Sequence, residues 1–154
     1  PPRELSARKA ANYARMENWN SFERAIGLCF FGPTPRSFIP VDDVLTAVTA
    51  ARGWEISAED LLRIGERATN LARLFNVREG FTRRDDTLPE RLFQPLENGA
   101  LAGVAIPREE FEQTMTALYQ LKGWDPLTTV PTRERLAELG LEWAADLVGV
   151  QPGQ

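Results

Sequence analysis

Proline and glycine cut this chain into helix-length pieces, and no piece alternates apolar with polar residues as a strand would. Gly27, Gly32-Pro33-Thr34-Pro35, Gly53, Gly80, Gly123 and Gly140 punctuate segments whose apolar residues recur near every 3.6 positions. That punctuation predicts an all-α, multihelical domain without a sheet. Residues 6–26 read as the first helix. Ser6 suits the N-cap, and Ala7, Ala10, Ala11 and Ala14 supply propensity. Its stripe is expected at Tyr13, Met16, Trp19/Asn20, Phe22/Glu23 and Ile26.

A second helix fits Val41–Arg52, with Asp42 and Asp43 in the first turn, where the helix dipole favours anions. Val44, Leu45, Val48 and Ala51 should face inward. A third fits Ala58–Asn76. Ser57 and Asp60 form a shortened capping box before it. Its buried face is expected at Leu61, Ile64/Gly65, Ala68, Leu71/Ala72 and Phe75. A fourth fits Arg108–Lys122, with Phe111, Met115, Leu118 and Tyr119 on one side. Thr132 caps a short helix running to Leu139, and Glu142–Val148 is the last. The four tryptophans, Trp19, Trp54, Trp124 and Trp143, read as core anchors. Residues 80–107 carry glycine and proline throughout and read as a long irregular loop, of the kind that is functional or packed against a partner.

The 154 residues suffice for one domain with a real core. No apolar run approaches the ~20 residues of a membrane span. A net charge of −4 argues against a nucleic-acid footprint. The start is polar, not a signal peptide, and Pro1-Pro2 without a Met reads as a piece of something longer. Histidine is absent, which removes the commonest general base, the usual triads and most zinc sites. The single cysteine excludes an internal disulfide and a cysteine-only metal site made by this chain alone.

That cysteine, Cys29, follows Gly27 and Leu28 where the first helix ends and precedes Phe30 and Phe31. Taken alone, a cysteine among apolar residues is usually a small buried hydrophobe, and Gly27 is usually a plain helix cap. The other conspicuous stretch is Arg73-Leu-Phe-Asn-Val-Arg-Glu-Gly-Phe-Thr-Arg-Arg-Asp-Asp-Thr-Leu-Pro89. In this order the two features resemble the C-terminal part of the tungsten-containing aldehyde:ferredoxin oxidoreductases. In that family an Asp-x-x-Gly-Leu-Cys motif brings the last cysteine ligand to a 4Fe-4S cluster and touches a pterin. Gly27-Leu28-Cys29 matches its end. Tyr119-x-Leu121-x-Gly123-Trp124-Asp125, Val130-Pro131-Thr132, Leu136 and Leu139-Gly140-Leu141 are similar to the family's C-terminal end.

The resemblance implies a single C-terminal helical domain over residues 1–154, belonging to an enzyme that oxidises aldehydes to carboxylic acids. It implies cofactor contacts at Gly27, Leu28 and Cys29, with Cys29 a metal ligand and no catalytic side chain here. The implied cofactors are a 4Fe-4S cluster and a tungsten or molybdenum bis-pterin, both needing the rest of the enzyme. The implied partners are the preceding domains, ferredoxin or a similar acceptor and a small aldehyde, in the cytoplasm. One position departs: the family's Asp falls on Arg24, which donates hydrogen bonds only. Glu23 beside it points about 100° away around the helix. The charged string from Arg73 to Asp86 is expected to dock the loop against the preceding domain, against the plainer reading of a solvated charged loop. Arg24 and the missing histidines motivate a second reading, a cofactor-free helical interaction module derived from this family.

Overall fold

The computed structural model describes residues 4–29 and 39–150, and among them it contains six α-helices and no strand. They are α1 (Ala7–Ala25), α2 (Val41–Arg52), α3 (Ala58–Arg78), α4 (Arg108–Lys122), α5 (Arg133–Glu138) and α6 (Glu142–Val148). The expected break at Gly32-Pro33-Thr34-Pro35 lies outside the described residues. Local chemistry sets the helix starts. The Ser6 hydroxyl accepts from the Lys9 amide at 3.3 Å. Ser57 and Asp60 close a reciprocal capping box, the Ser57 amide donating to the Asp60 carboxylate at 2.9 Å. Those bonds hold the Asp60 carboxyl below its ordinary range.

α1 packs on α3 and α4, α3 on α6, and α5 on α6. Gly65 is what lets α1 and α3 meet. An ideal Cβ at that position would fall 1.7 Å from the Asn18 carbonyl oxygen. Around this crossing Trp19, Phe22, Val44 and Leu61 form one buried cluster, with Leu45, Val48 and Ile64 against it. A second cluster gathers Leu74, Leu136, Leu139, Leu141 and Ala145 at the C-terminal end of α3. α3 runs through both.

This double duty changes which residues are inside. On α3, Phe75 was expected to be buried and is exposed, and of the Leu71/Ala72 pair Leu71 packs against the core while Ala72 is exposed. Thr69, Asn70, Arg73 and Leu74 are buried. The inward face rotates as α3 passes from α1 to the C-terminal cluster, and its polar members have partners. Thr69 bonds Ser21 at 3.0 Å, and Asn70 accepts from the Trp124 indole at 2.9 Å. On α1, Ala10, Trp19, Phe22 and Glu23 turn inward, leaving Tyr13, Met16 and Ile26 exposed. Ala51 of α2 is exposed as well.

Two tryptophans also depart from expectation. Trp19 and Trp124 are each 7% exposed, but Trp54 and Trp143 are 53% and 56% exposed. Trp54 lies beyond the end of α2, where the Arg52 guanidinium covers it at 5.2 Å. Trp143 lies on the outer face of α6, opposite Ala144 and Ala145. Trp124→Ala is therefore expected to cost about 3–5 kcal/mol. Trp143→Ala should cost less than about 1 kcal/mol. Urea unfolding of the two variants checks the contrast, and equal losses would contradict it.

The 80–107 segment has structure of its own. Two short 3-10 turns, Arg83–Asp85 and Glu90–Leu92, open it. The Leu96 amide donates to Val104 at 3.1 Å and the Gly103 amide to Leu96 at 2.8 Å. Phe93 then meets Phe111 of α4 edge-on, ring centres 5.4 Å apart.

Candidate functional site

The last turn of α1 decides where Cys29 goes. The Gly27 amide donates to the Arg24 carbonyl at 3.2 Å, and the Leu28 amide reaches back to Glu23 at 2.8 Å. This pair of bonds is the Schellman ending, and it requires a left-handed residue between cap and return. Gly27 supplies it with φ +79°. The chain then leaves the helix axis with Leu28 38% exposed and Cys29 exposed. Cys29 is thus not the buried hydrophobe that isolated reading favoured. Phe30 and Phe31, the rest of the expected apolar collar, lie outside the described residues.

Cys29 opens into a groove of about 610 Å³ between the end of α1 and one face of α2. Ile26, Leu28, Ile39, Val44 and Val48 line it, and Asp43 and Arg52 are its charged groups. The surface is mostly carbon, and three of its large members, Ile26, Leu28 and Ile39, are about two-fifths exposed. Contiguous exposed apolar surface of this kind marks a contact or ligand site. Among the described residues no group of three or more His, Cys, Asp or Glu side chains could hold a metal. An exposed thiol beside an apolar wall does fit one ligand position of a cluster completed by other cysteines.

Arg24 and Glu23 are separated as their spacing implies. Arg24 is exposed in the last turn, whereas Glu23 is 1% exposed and accepts from the Trp19 indole at 2.5 Å. Burial pushes the Glu23 carboxyl above its ordinary range, against the pull of that bond and of Arg24.

In the Arg73–Pro89 string, expected to dock on a preceding domain, Arg73, Arg83, Asp85 and Asp86 turn onto this chain. Arg73, 5% exposed, donates through Nε to the Thr129 carbonyl at 2.9 Å and pairs with Asp86 at 2.8 Å. The Tyr119 hydroxyl donates to the same carboxylate at 2.9 Å. Burial and the Asp86 charge hold that hydroxyl protonated, well above the ordinary phenol range. Arg83 bridges to Glu112 and Thr116 of α4, each at 3.0 Å. Asp85 folds back onto the Thr82 amide at 2.8 Å, which lowers its carboxyl's pKa. Arg78, Glu79 and Arg84 remain exposed. Sequence reasoning missed Thr129 and Tyr119 as partners of Arg73 and Asp86. A second groove of about 600 Å³, lined by Arg15, Arg63 and Arg135, is internally satisfied. Arg15 pairs with Glu59, Arg63 bonds the Glu138 carbonyl, and Arg135 pairs with Glu66.

A tungsten-containing aldehyde ferredoxin oxidoreductase of Pyrococcus abyssi is 35% identical over 143 residues, 92% of this chain and 22% of that protein. The enzyme of the same description in Thermococcus kodakarensis is 34% identical over 142 residues, 91% of this chain and 22% of its own. An aliphatic sulfonate oxidoreductase, WOR-like subunit, of Pyrococcus furiosus is 33% identical over 98 residues, 60% of this chain and 16% of that one. The chain therefore spans about a fifth of the length of its aldehyde-oxidising relatives. The family model described as aldehyde ferredoxin oxidoreductase, domains 2 and 3, matches residues 1–141, and the chain belongs to that family.

Proposed function

We propose that this chain is the C-terminal helical part of a tungsten or molybdenum bis-pterin, iron–sulfur oxidoreductase that converts aldehydes to carboxylic acids. An aldehyde and water would give the acid, two protons and two electrons, the electrons leaving through a 4Fe-4S cluster to ferredoxin or a similar acceptor. The observation that carries the reading is the place of Cys29. A glycine-dependent helix ending delivers it, exposed, to the rim of an open apolar groove. The family match over residues 1–141 gives that geometry its chemical meaning.

The cofactors, when bound, supply the oxidation and the electron path. This chain's residues hold and enclose them. The Cys29 thiolate is one cluster ligand, and the other ligands come from outside the chain, which has no second cysteine. Gly27 and Leu28 present main-chain groups toward the pterin, glycine permitting close approach. Ile26, Leu28, Ile39 and Val48 form an apolar wall that excludes water and limits solvent contact with the cluster. The preceding domains of the same polypeptide cover the groove. Arg73, Asp86 and Tyr119 act as scaffold, since they are occupied with one another.

Metal analysis tests this on the native protein containing the segment, purified without oxygen. Expected are about four irons and one tungsten or molybdenum per polypeptide. Cys29→Ser should lower the iron. Unchanged iron would remove the ligand assignment. A native protein free of iron, tungsten and molybdenum would leave the cofactor-free helical module instead.

A further inference from the structure

Among the described residues, Glu23 joins a fully enclosed carboxyl to the turn that carries Cys29. Its side chain is 1% exposed. Oε1 accepts from the Trp19 indole at 2.5 Å, while Oε2 is closed from solvent and has no partner among the described residues. An ionised carboxylate with one oxygen unsatisfied in an apolar surround is costly, and the neutral acid is far less so. The same residue's carbonyl accepts the Leu28 amide at 2.8 Å, the bond that closes the Schellman ending before Cys29.

The surroundings leave little to compensate an anion. On α1 the charged neighbour acting on the carboxyl is Arg24, itself exposed. α2 and α3 meet this part of α1 through Val44, Leu61 and Ile64, which are apolar, and through Thr69, which bonds Ser21. The charged groups of α2 at this end, Asp43 and Arg52, line the groove beside Ala25 and Ile26. α4 brings Lys122 to Glu17, two turns earlier.

We infer that Glu23 is a protonation latch: the neutral acid keeps the last turn of α1 closed, and ionisation opens the turn that presents Cys29. The inference concerns this chain's own turn and stands whether or not Cys29 holds a cluster. The sign follows from burial, which raises the carboxyl's pKa in the folded protein. The closed turn then binds the proton more tightly than the open one. Its advantage is complete below the ordinary carboxylate pKa and is lost as pH rises through the raised value.

Hydrogen exchange of the peptide spanning residues 22–29, read by mass spectrometry across pH and divided by the intrinsic rate, tests the latch. Between the ordinary and the raised pKa, protection of the Leu28 amide is expected to fall about tenfold per pH unit. Glu23→Gln keeps an acceptor for the Trp19 indole and cannot ionise, so its protection should stay flat with pH. Trp19→Phe removes the bond that favours the carboxylate and should move the transition to higher pH. A wild-type profile that is flat, or one that Glu23→Gln reproduces, would overturn the latch. So would a transition that Trp19→Phe leaves in place.

Discussion

Gly65→Ala is expected to destabilise the fold by about 3–5 kcal/mol, although alanine is the better helix former by about 1 kcal/mol. The two effects have opposite signs, which makes the test sharp. The new Cβ would lie 1.7 Å from the Asn18 carbonyl oxygen, 2.6 Å from the Asn18 carbonyl carbon and 2.9 Å from the Phe22 amide nitrogen. All three atoms are main chain of α1. A clash with a flexible side chain would relax by a rotamer change, but here the helix itself has to move. Moving α1 off α3 strips Trp19 and Phe22 from Leu61 and Val44 and pulls on the Thr69–Ser21 bond. The loss is a large share of the 5–15 kcal/mol by which a domain is typically stable. Urea or thermal unfolding reads it directly. A gain in stability would mean that α1 and α3 do not cross at Gly65.

The helix ends were legible because they depend on neighbours in sequence. Ser57 with Asp60 starts α3, Gly53 and Gly123 end α2 and α4, and Gly140 follows the end of α5, each acting within one turn. α3 runs on to Arg78, two residues past the expected Asn76. Which apolar residues go inside was less legible, because that depends on what lies across the helix. Tyr13 and Met16 keep the same helical spacing as Trp19 and Phe22, yet only the second pair meets α2 and α3. Trp143 follows the pattern of a core residue and faces outward, since α6 is anchored by Ala144 and Ala145. Gly65 was placed on the buried face, but nothing local says that a main chain passes within contact of it. The site shows the same division. Gly27-Leu28-Cys29 could be read along one turn, whereas the groove wall from Val44 and Val48 arises only when α2 folds beside α1.

The least legible feature is also the most consequential electrostatically. Arg73→Leu is expected to cost about 3–5 kcal/mol, because it leaves a charge and a carbonyl without their partner in a mostly buried place. Arg73 Nε holds the Thr129 carbonyl at 2.9 Å, and its two terminal nitrogens grip Asp86 at 3.0 and 2.8 Å. Thr129, 56 residues further on, takes a left-handed φ of +61°, unusual for a branched side chain. It is fully buried, and Arg73 bonds both its carbonyl and its hydroxyl. The arginine therefore holds a strained residue in place as well as neutralising a carboxylate. The guanidinium also lies 5.2 Å from the centre of the Trp124 ring, whose indole is fixed by Asn70. Lys122, 4.1 Å from the same ring, ties α4 to Glu17 of α1. Burial lowers its pKa, and Glu17 opposes that shift. Removing Arg73 thus loosens α3 from the 125–130 loop and leaves Asp86, among the described residues, with the Tyr119 hydroxyl. Asp86→Leu in the same background removes the stranded charge. The double variant should recover part of the loss, with a coupling of about 1.5–3 kcal/mol between the two sites. Urea unfolding of the wild type, both single variants and the double variant measures that coupling. A coupling near zero would mean that Arg73 acts through Thr129 and Trp124, and that the ion pair with Asp86 contributes nothing to holding the loop.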